Sequence, residues 1–287
     1  MAPSISWPPP SEDLLRISRD LTEADHPWPS PAIDSPLVSP AQLRRASQSW
    51  SRRARGAWFT LGETLGLTRS LLTLHPPAEV LSGATYAVDE IGRHLLLIRH
   101  ISGSFHPPRT GGTVLPDEPT HPTLDHLFAD TLRLFLFNLP LSRRVFDALQ
   151  VITSDRAISE ISGILARSTA ELITFGQALL PWLHQSFSQP PKPIPLPGLL
   201  VSFERLFGGS PAILDDLAGR ELTLEPEPGN LGFLSPIHEA ALFYDSLSTE
   251  IFPSLQALSL PAEDAWHHHY QARPMPCAAL GVGVLSA

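Results

Sequence analysis

Apolar residues recur at intervals of three and four along most of the chain after residue 40, as they do on one face of an α-helix. The first run covers about 41–74, and later runs cover about 77–102, 123–139, 141–152 and 155–188. Another run begins at Ser235 and reaches about Leu258, and a short one follows at about 261–270. Because no alternating strand pattern separates these runs, the sequence predicts an all-α protein built as an antiparallel helical bundle.

Proline and glycine mark the ends of the predicted helices. Ser39 and Pro40 are typical of the N-cap and first turn of the first helix, and Ser235 and Pro236 are typical of the same positions in the last long one. The third helix is expected to end or kink at Pro140. We expect 199–234 to be irregular apart from a short helix at about 211–218.

The pattern divides the chain into three parts. Residues 1–40 are predicted to form a proline-rich arm, 41–270 the helical domain and 271–287 a C-terminal tail. Apolar residues that can anchor the arm to the domain are Trp7, Trp28, Ile33 and Val38.

Composition narrows the function classes. Apolar residues make up 43% of the 287 residues, enough for a substantial core, and the net charge of −9 argues against nucleic acid or an anionic membrane as partner. Cys277 is the only cysteine, so we expect neither an internal disulfide nor a thiolate metal cluster. A local basic run on the first helix is expected to be solvated: Arg44, Arg45, Arg52, Arg53 and Arg55.

The sequence shows no targeting signal that we recognise. Its first residues lack the basic start and apolar centre of a signal peptide, and no uninterrupted apolar stretch reaches the ~18 residues of a membrane span. These observations predict a cytoplasmic protein.

One stripe of the second predicted helix carries two polar residues among small and apolar ones. Steps of three and four join Gly83, Ala87, Glu90, His94, Leu97 and Ile101. Glu90 and His94 are therefore expected to point into the interior, where an unpaired carboxylate is unstable. Either the two side chains hold a metal ion, or His94 is bonded to Asn138 or to a hydroxyl of Ser168 or Thr169.

Two stretches resemble the ferritin-like superfamily of carboxylate-bridged di-iron proteins. "ATYAVDEIGRHLLL" (84–97) is similar to that family's helix with an acidic pair followed by a histidine. "TSDRAISEISGILARSTAELITFGQALLPWL" (153–183) is similar to the matching helix of the second half, and 243–266 has the character of bacterial ferritin-like proteins. The resemblance extends over about 41–266 and implies a ferritin-like bundle with iron held between its helices.

The first half departs from the family's pattern. His94 comes one residue later than in D-E-x-x-H, which either a π-bulge at Gly92 or an ordinary i,i+4 pair accommodates. The partner carboxylate expected on the preceding helix is missing, and the nearest acid is Glu63, which we expect opposite about Gly83 rather than opposite Glu90.

The second half departs further. Ser168 and Thr169 replace the acidic pair, Leu172 stands at the histidine position, and Asn138 stands where the preceding helix would supply a carboxylate. The candidate metal ligands are therefore Glu90, His94 and Glu63. The residues expected to line the former metal cavity are Asn138, Ser168, Thr169 and Leu172.

Other polar residues have simpler interpretations. Asp89 and Arg93 are spaced for a salt bridge at the solvent edge, and Glu171 is expected to be solvated. Glu239, beside His238, suits the positive end of a helix dipole. Three adjacent histidines, at 267–269, cannot all face one ion from a helical turn, so a surface or packing role is expected.

Two functions for the interior of the domain remain open, besides that of an interaction module that uses the proline-rich arm and the surface of the bundle. The first is a divergent ferritin-like domain with a degenerate di-iron site, acting as a scaffold or binding a small ligand. The alternative is an iron-dependent oxidase or oxygenase acting on a small organic molecule, with the iron mononuclear or partially occupied. A homo-oligomer is compatible with both, and we expect no nucleic acid or membrane as partner.

Overall fold

The computed structural model describes residues 28–105, 123–185, 196–217 and 222–269, and the account below is confined to them. Helices, turns and irregular segments make up these ranges, and no strand occurs within them. The all-α prediction is confirmed. Trp7, most of the predicted arm and the predicted tail lie outside the described residues.

Two long helices form the first hairpin. Helix α1 is Pro40–Thr73 and α2 is Ala78–Phe105. Ser39 caps α1 as predicted, because its side chain accepts from the backbone N–H of Gln42. The Gln42 side chain in turn accepts from the backbone N–H of Ser39. A four-residue turn joins the helices, so α2 runs back along α1.

The second hairpin is built from a long composite helix and α5. Helix α3 (Leu124–Leu132) continues through a π-helical segment, π1 (Arg133–Asn138), into α4 (Leu139–Ile152), and α5 is Arg156–Gln185. The helix therefore does not end at Pro140 but continues through it, after a π-helical segment. Asp155 accepts from the backbone N–H of Ile158 at the start of α5, which fixes the turn between α4 and α5.

Contacts between the hairpins show the helix directions. Gly83 of α2 lies against Phe175 of α5, and His94 lies against Ser168, so α2 and α5 run antiparallel. Since α3–π1–α4 is also antiparallel to α5, it runs parallel to α2. The C-terminal end of α2 and the N-terminal end of α3, which residues 106–122 connect, therefore lie at opposite ends of the bundle.

Shorter helices follow the second hairpin. They are α6 (Leu196–Phe207), α7 (Pro211–Leu217), α8 (Pro236–Ser246), the π-helical segment π2 (Leu247–Ile251), α9 (Phe252–Ala257) and α10 (Ala262–His269). The short helix near 211, the helix capped by Ser235 and the final helix agree with the sequence pattern.

The expectation of irregular structure from residue 199 is wrong for α6. Pro197 lies in the first turn of this helix, where its missing N–H is tolerated. Leu200 and Phe203 are buried, so tertiary packing stabilises a helix whose start contains both proline and glycine.

Of the two alternatives for Glu90 and His94, the π-bulge at Gly92 does not occur, since α2 is a regular α-helix there and the two residues are spaced i,i+4. The two π-helical segments lie elsewhere, and each is followed two residues later by a proline, Pro140 after π1 and Pro253 after π2. A proline inside a helix lacks an N–H and its ring crowds the carbonyl four residues earlier. A widened turn just before the proline relieves that conflict.

The basic run on α1 is only partly solvated. Arg53 is half-buried, and it donates to the Ser49 hydroxyl and to the carbonyl of Gly232, both at 2.8 Å. Its guanidinium lies 4.9 Å from the centre of the Trp50 ring. Burial lowers the pKa of Arg53 to about 10, against the effect of Glu239. The prediction of a solvated side chain was wrong for this residue.

Part of the predicted arm is anchored to the domain. Trp28, Ile33 and Val38 pack against the core cluster around Trp50, and Asp155 accepts from the backbone N–H of Ala32 at 2.7 Å. The described end of the arm is therefore held by apolar contacts and by hydrogen bonds of its backbone to Asp155 and to His100.

Candidate functional site

Glu90 and His94 lie on the inner stripe of α2, where the sequence predicted them. Glu90 is 7% exposed and His94 is 5% exposed. His94 Nε2 forms a hydrogen bond with the hydroxyl of Ser168 on α5 and lies 3.8 Å from Glu90 Oε1. Of the three partners proposed for His94, the structure therefore selects Ser168.

Arg93 interacts with Glu90 rather than with Asp89. Its Nη1 lies 3.4 Å from Glu90 Oε1, while about half of the Arg93 side chain remains exposed. The predicted bridge from Asp89 to Arg93 is therefore replaced by an i,i+3 pair that supplies a cation to a buried carboxylate. This geometry connects the interior stripe to the solvent edge of α2.

His94 is neutral at physiological pH. Burial, and to a smaller extent the positive charge of Arg93, together lower the pKa of the imidazole to about 4. A neutral imidazole has one nitrogen that donates a hydrogen bond and one that accepts a hydrogen bond. The uncharged ring of His94 can therefore bond the Ser168 hydroxyl through Nε2.

Glu63 belongs to a second polar group, which lies between α1 and π1. Its Oε1 lies 3.0 Å from Arg133 Nη2, and Oε2 accepts from the Asn138 side-chain amide at 3.0 Å. Burial raises the pKa of Glu63, which Arg133 and Asn138 oppose and Asp130 reinforces. Both oxygen atoms are thus engaged by residues of π1.

The level of Glu63 along the bundle differs from the prediction. The Thr68 hydroxyl contacts the carbonyl of Ala84 at 3.4 Å. Glu63 lies five residues before Thr68. Because α1 and α2 are antiparallel, Glu63 is level with about residue 89, five residues after Ala84, and not with Gly83. Glu63 therefore lies at the height of Glu90, although the two carboxylates have different partners.

Each long helix thus contributes one or two polar residues near the middle of the bundle. We call this set the central polar layer, and its members are Glu63 on α1, Glu90 with His94 on α2, Asn138 on π1 and Ser168 on α5. Its hydrogen bonds fall into two groups, one between α2 and α5 and one between α1 and π1.

The other two predicted cavity residues do not add to these groups. Thr169 is fully buried and its hydroxyl donates to the carbonyl of Leu165 at 2.6 Å, within its own helix. Leu172 is fully buried in the larger core cluster. At these two positions the interior is filled by side chains.

The residues do not fit an iron site as they are arranged. Among the described residues, no group of three or more His, Cys, Asp or Glu side chains has the arrangement of a metal site. Independently, both oxygens of Glu63 have protein partners, and Ser168 engages the Nε2 atom of His94. These atoms are the donors that a metal would require.

Other candidates lie at the surface. Glu171 is exposed and accepts from the Tyr86 hydroxyl at 2.8 Å, which raises the Tyr86 pKa to about 12. Glu239 pairs with Arg52 of α1, so it contributes more than a helix-dipole contact. His267 is exposed, in agreement with a surface role.

Sequence reasoning missed a charged group between α4 and the C-terminal helices. Arg144 lies 2.5 Å from Glu250 and 3.5 Å from Asp245, and it donates to the Thr249 hydroxyl at 2.9 Å. Asp245 lies near the end of α8, and Thr249 and Glu250 belong to π2. Near Arg144 in the sequence, the only signal of this group is the pair of adjacent arginines to which it belongs. Its acidic partners lie about a hundred residues later in the chain.

No family model, curated protein or solved structure matches the chain. In the described ranges, every helix is too short or too polar to cross a membrane.

Proposed function

We propose that this chain is a divergent ferritin-like helical domain that acts as a scaffold, with a degenerate di-iron site closed by its own hydrogen bonds. The observation that carries the proposal is the occupation of the donor atoms: Ser168 bonds His94, while Asn138 and Arg133 bond Glu63. A buried polar group with protein partners stabilises the fold without a ligand.

The helix directions support the ferritin-like part of the proposal. Ferritin-like folds join two helical hairpins by one long connection that crosses the length of the bundle. In this chain α2 and α3–π1–α4 run parallel, so residues 106–122 connect opposite ends. The sequence resemblance implies the same arrangement independently.

A scaffold fits the interior better than a small-ligand pocket does. Leu172 is fully buried, and the Thr169 hydroxyl is satisfied within α5. A ligand at this place would have to displace packed side chains, which costs free energy because protein interiors are close-packed.

An iron-dependent oxidase or oxygenase is the alternative. Two observations favour it: Glu63 is level with Glu90, and the neutral imidazole of His94 is the form that binds metal. In that case Glu90, His94 and Glu63 would hold the iron, and His94 and Glu63 would first have to exchange their present partners, Ser168, Arg133 and Asn138, for the metal.

The test is the metal content of full-length protein purified without chelators, together with its melting temperature with and without a chelator. The scaffold predicts far less than one iron per chain and an unchanged melting temperature. One or more equivalents of iron, lost in Glu90→Ala and kept in the exposed control Glu171→Ala, would establish the alternative instead. Two irons with oxo-bridge absorption would contradict the degenerate site as well.

A further inference from the structure

The first hairpin carries an apolar line along the outer surface of α1. Trp58, Leu65 and Leu72 follow one another at intervals of seven residues and are 37%, 46% and 50% exposed. Seven residues are close to two turns, so the three side chains lie on one line. Thr68 lies next to this line and its hydroxyl contacts the carbonyl of Ala84 at 3.4 Å, so the line runs beside α2.

Helix α2 provides the other side of this surface. Because the two helices are antiparallel, the same contact places Leu72 near the level of Leu81 and Trp58 near the level of Leu96. Leu81 is half-buried and Leu96 is 38% exposed. Steps of three and four join these two leucines, so they lie on one outer stripe of α2.

Between these two levels the surface leaves room for another segment of chain. A Cβ added at Gly92 would meet no described atom within 4 Å, and a glycine on a helix surface lets a second backbone approach closely. Leu81 and Thr85 line a shallow groove of about 580 Å³. We call this surface the outer seam, and its residues are Trp58, Leu65, Leu72, Leu81, Gly92 and Leu96.

The N-terminal arm reaches the end of the outer seam at Trp28. The Trp28 ring meets the His100 ring edge-on, with 5.8 Å between the centroids, and the carbonyl of Pro29 accepts from His100 Nε2 at 3.2 Å. His100 lies one turn beyond Leu96 on α2, because the two are spaced i,i+4. The residues that precede Trp28 therefore start from the C-terminal end of the α2 side of the seam.

Residues 11–24 of the arm have the sequence pattern of an amphipathic helix. They contain no proline, unlike the stretches on either side of them. Ser11 followed by two acidic residues is typical of a helix N-cap and first turn. Leu14, Ile17 and Leu21 stand at i, i+3 and i+7, which is the spacing of the anchors of a helix that binds in an apolar groove.

The length of this segment matches the length of the outer seam. The distance along α2 from Leu81 to His100 is about 28 Å at 1.5 Å per residue. A helix over 11–24 is about 20 Å long, and residues 25–27 add up to about 10 Å when they are extended. A helix that leads into Trp28 therefore extends along the seam from the level of Leu96 to about that of Leu81.

We propose that residues 11–24 form a helix that packs into the outer seam and covers its apolar side chains. The contact removes apolar surface of both partners from water, which is the driving force for it. The proposal uses none of the residues of the central polar layer. It therefore stands or falls separately from the proposed scaffold function.

The test is limited digestion of the full-length protein by trypsin, followed by mass spectrometry. Arg16 and Arg19 lie within the segment, and no other lysine or arginine precedes Arg44. A docked helix protects both bonds, because a protease requires the local chain to open. Leu65→Glu on α1 and Ile17→Glu in the segment each place a charge in the contact, so each should speed cleavage at these two sites at least about tenfold.

Val151→Glu is the matched control, because Val151 is an exposed apolar residue (44%) on α4, outside the outer seam. Leu96→Glu on α2 is a second variant of the seam, with the same expected result as Leu65→Glu. Circular dichroism establishes that each variant is folded, and light scattering gives its molar mass.

Faster cleavage at Arg16 and Arg19 in the folded seam variants and in Ile17→Glu, with Val151→Glu like wild type, supports the proposal. Equal cleavage rates in wild type and all these variants overturn it, as does an effect of Val151→Glu as large as that of Leu65→Glu. A wild-type dimer that dissociates in Leu65→Glu without faster cleavage would mean that a second copy covers the seam, and also overturns it.

Discussion

His94 is buried as a neutral imidazole, and this makes the stability of the protein depend on pH. Its folded pKa of about 4 lies below the ordinary value of 6.5. Below about pH 6.5 the unfolded chain binds a proton that the folded protein does not, so this contribution to stability is full above pH 6.5. It is lost progressively as the pH falls towards 4.

We therefore expect the free energy of unfolding of wild type to fall by up to roughly 3 kcal/mol more than that of His94→Gln between pH 7 and pH 4. Comparing the two proteins isolates His94 from Glu63, whose raised pKa acts with the opposite sign because its folded form retains a proton. Urea unfolding at several pH values in this range measures the difference. Parallel curves for the two proteins would show that His94 is accessible to water.

The hydrogen bond between His94 and Ser168 should contribute more to the free energy of unfolding than the hydrogen bond of an exposed hydroxyl does. Ser168→Ala leaves a buried imidazole nitrogen without its partner, which costs about 1–3 kcal/mol of unfolding free energy. Thr174→Ala is a suitable control, because the exposed Thr174 hydroxyl only bonds a carbonyl of its own helix. Equal effects of the two changes, measured by urea unfolding, would contradict the assigned partner.

At the scale of elements, the long helices approach closely at two glycines, one within the second hairpin and one between the hairpins. A Cβ at Gly176 of α5 would lie 2.1 Å from Cβ of Phe135 on π1, an atom close to the backbone that cannot move freely. A Cβ at Gly83 of α2 would meet the ring of Phe175 at 2.2 Å. These contacts mean that helix spacing, and not helix propensity, determines the residue at both positions.

Gly176→Ala should accordingly destabilise the protein by about 1–3 kcal/mol, although alanine favours a helix. Gly56→Ala on α1 is the matched control, since a Cβ there meets no described atom within 4 Å. It should stabilise the protein by up to about 1 kcal/mol, because alanine loses less backbone entropy. Thermal unfolding of the two variants tests this, and a stabilising Gly176→Ala would mean that α5 and π1 are further apart.

Across the whole molecule, Asp155 connects the described end of the arm to the bundle. One carboxylate oxygen accepts from Ala32 and the other from Ile158 at the start of α5. Asp155→Ala should cost about 1–2 kcal/mol through the lost cap. Asp155→Ser keeps a capping oxygen but cannot reach both amides.

Hydrogen exchange separates these two roles. In both variants the amide of Ala32 should lose protection, whereas the amides at the start of α5 should lose it mainly in Asp155→Ala. If Ala32 stays protected in both, apolar packing of Trp28, Ile33 and Val38 holds the arm without the hydrogen bond.

Much of the molecule follows from local sequence. Intervals of three and four, with Ser39, Pro40 and Ser235 at helix starts, were enough to predict the long helices, because caps and amphipathic faces are local properties. The same periodicity placed Glu90 and His94 on an interior stripe. It also predicted α7 and α10, whose boundaries are marked by proline.

Only the tertiary structure decided which polar residues meet. Ser168 is 74 residues from His94, and Asn138 is 75 residues from Glu63. Such pairs depend on how far one helix is shifted along another, and a small shift moves each side chain to a different neighbour. The sequence contains the stripe on each helix but not this relative shift, so the expected level of Glu63 was wrong.

The same reason explains the other differences. Helix α6 forms because packing buries Leu200 and Phe203, despite the proline and glycine at its start. Arg53 is half-buried because it donates to the carbonyl of Gly232, which is far from it in the chain. The sequence by itself determined where helices form and which faces are apolar. The tertiary structure determined their shifts and hence which polar residues pair, because those depend on contacts between residues far apart in the chain.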